Sequence, residues 1–383
     1  MIIPYGRRVA ADGNTAAAVA AALARVEVVP TYPITPQTVV IERLAELYAQ
    51  RGDAIFKNME SEHAMLGYAI TMSHLGARVF TATSSQGLLY ACEQVHRAGR
   101  ERSPLVMAVV NRSLCVPWNL ETDLNDSLSQ RDGGWIQFYC ANHQEIFDSI
   151  PLAYRIAEKV LLPAMVCYEG FILSHSTAAI NVPLQEKIDE FLPGFSPPAE
   201  WIIKPETPKT YFQLPGSTEY YVKFQHDVEL AMEKAASLID ESAAELSSVL
   251  GHKVAGAMEI TGNPKAKTAI VAIGTIGETA KILIEGGEDI LVVRIHSFRP
   301  FPRKLLSNAL AGAGKIVVVD RAVSFGAYPP LAAEVFSSVS RNRVHSFIAG
   351  IGGNNVTENT LLEIIKKSSR KSAGPVWILK EGR

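Results

Sequence analysis

The stretch VEVVPTYPITPQT, residues 26–38, passes from an apolar run into a turn bounded by two prolines. Pro33 disfavours helical backbone at the residue before it, so a strand here ends no later than Tyr32. Pro36 suits the first position of a helix, because its fixed φ fits and its missing N–H needs no partner. The pattern therefore predicts a helix that begins at Pro36 with Thr35 as its N-cap. Such a hydroxyl either caps the helix alone or also holds a small anion.

The segments around this turn alternate between helix and strand. An Ala-rich helix capped by Asn14 precedes it, and the helix that follows ends at Arg51, before Gly52. Four further runs are apolar throughout, as expected of strands that are covered on both faces. These predicted strands span residues 54–59, 77–83, 104–111 and 163–168, with helices over 61–76 and from the SSQG motif at 84–87. The alternation predicts a doubly wound, parallel α/β domain over residues 1–250.

Residues 183–225 differ in composition, with many prolines and little periodicity, and are expected to form a long ordered excursion. A helix over 226–250 follows. Residues 260–383 then alternate again between apolar runs and helical segments, which predicts a second, smaller α/β domain.

Composition limits the classes of function. The 383 residues carry a net charge of −2, and no basic stretch is interleaved with aromatic residues, so nucleic acid is not an expected partner. The amino terminus has no apolar core of signal-peptide length, and no later apolar run approaches the length of a membrane span, which predicts a cytoplasmic protein with no membrane partner. The four cysteines form no C-x-x-C pair and the histidines no H-E-x-x-H motif. We therefore expect neither an iron–sulfur cluster nor a metal site in this chain.

Two further candidate segments follow predicted strands, as the Thr35 turn does. MESEH places Glu60, Glu62 and His63 where a strand gives way to a helix, and VVNRSL places Arg112 just beyond another strand. The acidic residues either complement the helix dipole or provide a buried carboxylate of raised pKa that could share a proton with a ring nitrogen. The arginine either flanks the strand or binds a carboxylate with its planar fork. Because parallel strands end at one edge of a sheet, Thr35, Glu62 and Arg112 should lie together.

Two other features have competing interpretations. The turns GTIGE (274–278) and GIGG (350–353) could hold a phosphate, but they match neither common phosphate-binding motif, and tight strand-to-helix turns need glycine in any case. The polar region after Arg112, which begins CVPWNLETD, is either a lid over the site or a connecting loop.

Ten segments in order resemble the alpha subunits of pyruvate:ferredoxin oxidoreductases, members of the thiamine-diphosphate-dependent 2-oxoacid:ferredoxin oxidoreductase family. They are TYPITPQT, MESEHAMLGYAI, GARVFTATSSQGL, NRSL, RDGGWIQFY, FILSHS, DEFLPGF, RPFP, VVDRAVSFGA and AGIGGNNVT. The resemblance implies that residues 1–250 form a pyrimidine-binding domain and residues 260–383 a domain like the carboxyl-terminal domain of transketolase.

The resemblance also implies roles for individual residues. Thr35 matches the threonine that contacts the substrate carboxylate, and Arg112 matches an arginine that helps to bind the 2-oxoacid. Glu62 matches the glutamate that hydrogen-bonds N1′ of the thiamine aminopyrimidine and so activates the cofactor. Ser84, Ser85 and Gln86 are expected to line the cofactor pocket.

The implied reaction is the reversible oxidative decarboxylation of pyruvate with coenzyme A to acetyl-coenzyme A and CO2, with reduction of ferredoxin. The sequence has no G-D-G motif with a downstream asparagine for the diphosphate and its magnesium ion. A beta subunit is therefore expected to complete the thiamine diphosphate site and hold Mg²⁺, with gamma and ferredoxin-like delta subunits; the partner subunits are expected to carry the [4Fe-4S] clusters.

One segment departs from the family pattern. Family members commonly have Gly-Asp-His shortly before the D-x-x-x-x-R motif that corresponds to Asp126–Arg131, whereas this chain reads Thr122-Asp123-Leu124. The alternatives left open are a different 2-oxoacid (2-oxoisovalerate, 2-oxoglutarate or an oxalate-like substrate) and a structural subunit without catalytic groups. Thr35 argues against oxalate, since the oxalate-specific relative is expected to have arginine there. A transketolase-like sugar enzyme is disfavoured because no histidine cluster is evident.

Overall fold

The computed structural model describes residues 5–206, 218–370 and 372–379. The strands β1 to β15 span Arg7–Asp12, Val28–Thr31, Ile55–Asn58, Phe80–Thr83, Val106–Asn111, Ile136–Tyr139, Ala164–Glu169, Thr177–Val182, Met258–Gly262, Thr268–Ile273, Ile290–Ile295, Ser297–Arg299, Lys315–Asp320, Val344–Ile348 and Val376–Trp377. The helices α1 to α13 span Gly13–Leu23, Thr38–Arg51, Glu62–His74, Ser85–Tyr90, Cys92–Glu101, Asn125–Leu128, His143–Val160, Gln185–Phe191, Thr218–Leu250, Thr275–Glu285, Arg303–Ala309, Pro330–Ser338 and Glu358–Lys367. None of these helices is long and apolar enough to cross a membrane.

The first half of the chain is built on parallel strands with helices on both faces, which confirms the predicted fold class. β6, β7, β5 and β4 lie side by side and parallel, and a parallel pair, β2 and β3, is linked to them by a bridge from Val28 to Val79. Along β5, alternate residues enter two cores: Ala108 packs with α1 and α7, and Met107 with α3 and α5. Burial on both faces explains the apolar character of β4, β5 and β7. β3 is mostly exposed, so the expectation of burial on both faces was wrong for residues 54–59.

The second half has its own six-stranded sheet, in the order β15-β14-β13-β10-β11-β9, parallel except for the edge strand β9. Helices α10 and α13 cover one face, and α11 and α12 cover the other. Antiparallel strand β12 leaves this unit and pairs with β6 of the first sheet. One apolar core then continues between the halves, with Leu128 and Phe298 among its residues.

Three boundaries differ from the sequence predictions. The cap of α1 is Asp12, whose carboxylate accepts a hydrogen bond from the amide of Thr15; Asn14 lies inside the helix, buried. Within the Pro-rich segment, Gln185–Phe191 forms a helix and α9 begins at Thr218, earlier than the expected start near 226. The remainder of that excursion includes residues 207–217, which lie outside the described residues.

Candidate active site

The candidate residues lie at the carboxyl edge shared by β2, β3, β4 and β5. Within each pair the strands are parallel and in register, so Thr31 lies beside Asn58 and Thr83 beside Val109. The hydroxyl of Thr81 donates to Pro30 O at 2.9 Å, which aligns β4 with β2. The segments that follow these strands therefore emerge at one edge, as the sequence predicted.

The Thr35 segment is a turn and not a helix N-cap, so that part of the prediction was wrong. The helix begins at Thr38, two residues after the predicted start at Pro36. The amide of Gln37 donates to Ile34 O at 2.9 Å, and the Gln37 side chain donates to Tyr32 O at 2.8 Å. These bonds satisfy the backbone within a turn before the helix starts. Thr35 is exposed, with its side chain available at the edge of the sheet.

Buried Asn14 holds this turn in place. Its amide nitrogen donates to Pro36 O at 2.8 Å, and its oxygen accepts from the hydroxyl of Tyr168 at 2.9 Å. Asn14 thus ties the turn to the end of β7, which accounts for a polar side chain inside an otherwise apolar helix.

Arg112 contacts Thr35 directly. Its Nη1 donates to Thr35 O at 3.0 Å and its Nε to Asn119 O at 3.4 Å, while its Nη2 has no partner among the described residues. The side chain is largely buried, and burial lowers the pKa of Arg112 from its usual value, against an opposing effect of nearby Asp126. Since an arginine remains charged in proteins, the free end of this guanidinium can bind an anion.

Asp126 joins the Arg112 segment to the SSQG segment. Its Oδ2 accepts from the amides of both Ser85 and Arg112 at 3.0 Å, and its Oδ1 accepts from Asn111 Nδ2 at 2.7 Å and from the amide of Ser127 at 2.8 Å. Burial raises the pKa of Asp126 to about 7, although these hydrogen bonds oppose the shift. Sequence analysis missed Asp126 as a component of the site.

Ser85 occupies a strained position between the two segments. Its φ of 48° is in the left-handed region, which non-glycine residues rarely adopt. Its hydroxyl lies 2.6 Å from both Gln86 Oε1 and Ser113 O, so a side-chain contact accompanies the backbone bond to Asp126. Ser84 to Gln86 are therefore held against the residues that follow Arg112.

Glu62 is the first residue of α3, and Ser61 caps that helix. The Glu62 side chain is only 5% exposed, yet no other described residue donates a hydrogen bond to its carboxylate. Burial raises the pKa of Glu62, with an opposing contribution from its own backbone amide. A Cβ at Gly87 would lie 2.4 Å from Glu62 Oε1 and 2.7 Å from Thr83 Oγ1, so the carboxylate lies directly against the backbone of α4.

The other residues of the MESEH motif do not join Glu62. Glu60 is exposed. The His63 ring lies 3.3 Å from a carboxylate oxygen of Glu93 and 3.0 Å from the amide nitrogen of Gln94, both on α5. The structure therefore gives no support for proton sharing between Glu62 and His63.

Several buried polar atoms around Glu62 and Asp126 have no hydrogen-bond partner in the described part of the chain. They are Thr83 Oγ1, Ser84 Oγ, Gln86 Nε2 and Asn111 Oδ1. Buried polar groups in folded proteins are nearly always paired, so four unpaired groups near Glu62 and Asp126 are consistent with a polar ligand that binds at this sheet edge.

The loop after Arg112 is fixed by the second half of the chain. The Asn119 side chain donates to Gly352 O at 3.1 Å, and the amide of Gly353 donates to Thr122 O at 2.7 Å. Both glycines have positive φ, and a Cβ at either would lie within 2.7 Å of this loop. The GIGG turn thus packs against protein. Between residues 115 and 118 the loop is exposed.

Leu124, where the family pattern has histidine, is buried in the apolar core. Its amide donates to Arg321 O at 3.0 Å. At this position the chain therefore presents a packing residue and no proton-transfer group.

The GTIGE turn is occupied by a carboxylate of the chain itself. Glu169, at the end of β7, accepts from the amide of Thr275 at 3.2 Å and from the Thr275 hydroxyl. A Cβ at Gly274 would lie 2.6 Å from Glu169 Oε1. The positive end of α10 thus binds a glutamate, and the glycine allows its close approach.

Three other carboxylates, of Glu145, Glu259 and Glu278, lie close enough together to hold a metal ion. The guanidinium of buried Arg294 forms ion pairs with all three, and Lys281 pairs with Glu259 and Glu278. These cations of the protein already neutralise the acidic group.

Comparison with known proteins accounts for this arrangement. Residues 19–244 match the family model "Pyruvate flavodoxin/ferredoxin oxidoreductase, thiamine diP-bdg", and residues 266–361 match "Pyruvate:ferredoxin oxidoreductase core domain II". The chain belongs to this oxidoreductase family. Its first matched region is the family's thiamine-diphosphate-binding domain, and it contains every residue of the candidate site.

Relatives within the family differ in their named substrates. The chain is 37% identical to the pyruvate synthase subunit PorA of Methanothermobacter thermautotrophicus over 97% of this chain and 98% of that protein. It is 38% identical to the ketoisovalerate oxidoreductase subunit VorA of Pyrococcus abyssi over 90% of this chain and 89% of that protein. These names identify subunits of larger assemblies.

Solved structures support the fold. The chain superposes on the 2-oxoglutarate:ferredoxin oxidoreductase from Magnetococcus marinus with a TM-score of 0.75 at 18% identity, over 95% of this chain and 66% of that one. A split-gene transketolase superposes with a TM-score of 0.52 at 14% identity, over 93% of this chain and 96% of that one.

The site fits an aminopyrimidine cofactor of the kind that the family binds. A buried carboxylate to which no other described residue donates suits a ring nitrogen that must be hydrogen-bonded. The polar atoms of Thr83, Ser84 and Gln86 that have no partner in the described part of the chain suit polar substituents beside it. Gly87 keeps the space beside Glu62 free of a side chain. The residues present are therefore compatible with thiamine diphosphate.

Proposed function

We propose that this chain is the alpha subunit of a thiamine-diphosphate-dependent pyruvate:ferredoxin oxidoreductase. The complex would convert pyruvate and coenzyme A into acetyl-coenzyme A and CO2 and would transfer two electrons to ferredoxin. The observation that carries the proposal is the buried Glu62 carboxylate, to which no other described residue donates, at the same sheet edge as Arg112. The names of the PorA relatives support the choice of substrate.

Glu62 is proposed to bind the pyrimidine ring of the cofactor. Bound thiamine diphosphate would supply the carbon nucleophile and the electron sink that decarboxylation requires. Burial raises the pKa of Glu62, which favours the protonated form of its carboxyl group and a proton shared with a ring nitrogen. Because Glu62 is buried away from water, such a bond is stronger than it would be at an exposed position.

Arg112 and Thr35 are proposed to orient the substrate carboxylate. The free Nη2 of Arg112 offers a charged donor, and its bond to Thr35 O places the exposed threonine beside it. Ser84, Ser85 and Gln86 are proposed to line the cofactor pocket, since polar atoms of Ser84 and Gln86 remain unpaired.

The rest of the reaction centre is proposed to lie on other subunits. A beta subunit would supply the diphosphate and Mg²⁺ site. Gamma and ferredoxin-like delta subunits would complete the assembly, and [4Fe-4S] clusters bound by the partner subunits would pass the electrons to ferredoxin. The sequence supports this division, because it has neither a G-D-G motif nor clustered cysteines. A cytoplasmic location remains a prediction.

The test replaces Glu62 with glutamine in the co-expressed complex. Glu62→Gln keeps the volume but removes the ionisable group, so the kcat for pyruvate oxidation should fall by about 10²- to 10⁴-fold. Glu60→Gln is the matched control, because it changes an exposed glutamate of the same motif and should leave kcat unchanged. A Glu62→Gln complex with wild-type turnover would support a structural subunit and contradict the proposal.

A branched-chain substrate is the second candidate, since a VorA relative is as similar as the PorA relatives. The kcat/KM for pyruvate, 2-oxoisovalerate and 2-oxoglutarate, measured with one complex, separates these possibilities. Pyruvate should give the highest value. A higher value for 2-oxoisovalerate would reassign the substrate and leave the proposed chemistry intact.

A further inference from the structure

We propose that Asp126 is a positioning residue that fixes the substrate-binding Arg112 relative to the cofactor-lining residues 84–86. This inference rests on the proposed function of the site. Asp126 is fully buried, so it acts through the two segments that it joins and not through contact with the substrate.

The hydrogen bonds of Asp126 divide into two pairs. Oδ2 accepts from the amides of Ser85 and Arg112, and Oδ1 accepts from Asn111 Nδ2 and from the amide of Ser127. All four partners are donors, which only an ionised carboxylate can accept together. An asparagine of the same shape would always turn its NH2 group towards one pair of donors.

The Ser85 and Arg112 amides belong to separate segments, and Asp126 is their shared acceptor. Ser85 is held at a φ of 48°, which costs free energy and needs an external contact to persist. Arg112 extends from the other amide to Thr35 O. If the shared acceptor is lost, the distance between the Arg112 guanidinium and the cofactor-lining segment is no longer fixed.

The test compares two buried aspartates in the assembled complex. Asp126→Asn is the test variant. Asp320→Asn is the matched control, because Asp320 is equally buried and accepts the amides of Leu331 and Ala332 far along the chain from the site. Both variants should lower the thermal midpoint, since each leaves at least one buried donor without an acceptor.

Only Asp126→Asn should change ligand binding. The KM for pyruvate should rise by about tenfold or more, and the dissociation constant of thiamine diphosphate, measured by calorimetry on the cofactor-free complex with Mg²⁺, should rise in parallel. If both constants stay within about twofold of those of Asp320→Asn, Asp126 has only a structural role and the inference is wrong.

An exchange variant tests whether hydrogen bonding is the cause. In the double variant Asn111→Asp/Asp126→Asn, the new carboxylate at position 111 can accept a hydrogen bond from the side-chain NH2 group at position 126. The side-chain oxygen at position 126 then faces the backbone amides of Ser85 and Arg112. The KM for pyruvate should recover at least part of the loss. No recovery in a folded exchange variant would contradict the hydrogen-bond explanation.

If Asp126→Asn does not accumulate, Asn111→Ser removes one donor to Asp126 and leaves the bonds from the Ser85 and Arg112 amides in place. A smaller rise in KM is expected, and an unchanged KM counts against the inference. The Glu62→Gln result separates the two proposals. Loss of turnover in Glu62→Gln together with unchanged binding constants in Asp126→Asn leaves the proposed function standing and removes only this inference.

Discussion

Gly87 offers a sharp test of the close packing between α4 and Glu62. A Cβ at this position would lie 2.4 Å from Glu62 Oε1 and 2.9 Å from its Cδ, well inside an ordinary contact of about 3.5 Å. Thr83 Oγ1, at 2.7 Å, blocks a second direction. In Gly87→Ala the carboxylate must therefore move by about 1 Å.

The consequence for activity should exceed the consequence for stability. A displacement of about 1 Å of a catalytic group costs on the order of 10²-fold in rate, so kcat should fall by about that factor. Overpacking costs about 1–3 kcal/mol, but alanine gains about 1 kcal/mol over glycine in a helix, so the net loss of stability should be about 0–2 kcal/mol.

Gly67→Ala is the matched control, since Gly67 lies on the same helix as Glu62. A Cβ there would lie 3.6 Å from Gln94 Oε1 and 3.7 Å from Gln94 Cδ, which are ordinary contacts. This variant should gain stability from helix propensity and keep its kcat. The two predictions are checked by measuring kcat for pyruvate oxidation and the thermal midpoint of both variant complexes. If Gly87→Ala turned over as fast as Gly67→Ala, Glu62 would have no fixed catalytic position.

Three further outcomes are expected. Arg112→Lys should raise the KM for pyruvate by about tenfold or more in steady-state assays, because an ammonium is a point charge and cannot reproduce the planar fork; an unchanged KM would remove Arg112 from the substrate site. Burial raises the pKa of Asp320 from 3.8 to about 7, so the folded state binds the proton more tightly than the unfolded state, and this group costs up to about 4 kcal/mol of stability as pH rises from about 4 to about 7. The thermal midpoint of Asp320→Asn should accordingly fall less steeply than that of the wild type between pH 5 and 7, and parallel slopes would contradict the assignment. Leu124→His should lower the thermal midpoint by the equivalent of about 1–3 kcal/mol without raising kcat, because it places a polar ring in the apolar core; a faster enzyme would show that the position takes part in proton transfer.

The edge shared by Thr35, Glu62 and Arg112 could be predicted from the sequence because it depends on strand order alone. Parallel strands direct their carboxyl ends to one side, so any residue just after such a strand is placed without knowledge of packing. The start of α2 could not be placed in the same way. Pro36 favours the first turn of a helix, but the Gln37 side chain bonds to Tyr32 O and favours a turn instead.

The parts of the site that sequence reasoning missed depend on long-range hydrogen bonds. Asn14 reads as a helix cap, yet its partners are Pro36 and Tyr168. Asp126 reads as one of several acids in a polar loop, and only the folded chain brings it to the amides of Ser85 and Arg112. The available signal was the asparagine that ends β5 immediately before Arg112, because a buried amide at a strand end requires a polar partner.

The second half of the chain contacts two segments next to the site, the loop after Arg112 and the end of β7. Its GIGG turn holds Asn119, whose backbone oxygen accepts from Arg112, and the amide of its Thr275 binds Glu169 at the end of β7. These contacts join the loop after Arg112 to the second half of the chain. They do not involve the unpaired polar atoms of Thr83, Ser84, Gln86 and Asn111. A perturbation at Gly352 should therefore reach Arg112 through Asn119, although the two residues belong to different halves of the chain. Contacts within this chain therefore fix its own side of the proposed pocket, which suits a reaction centre divided between subunits.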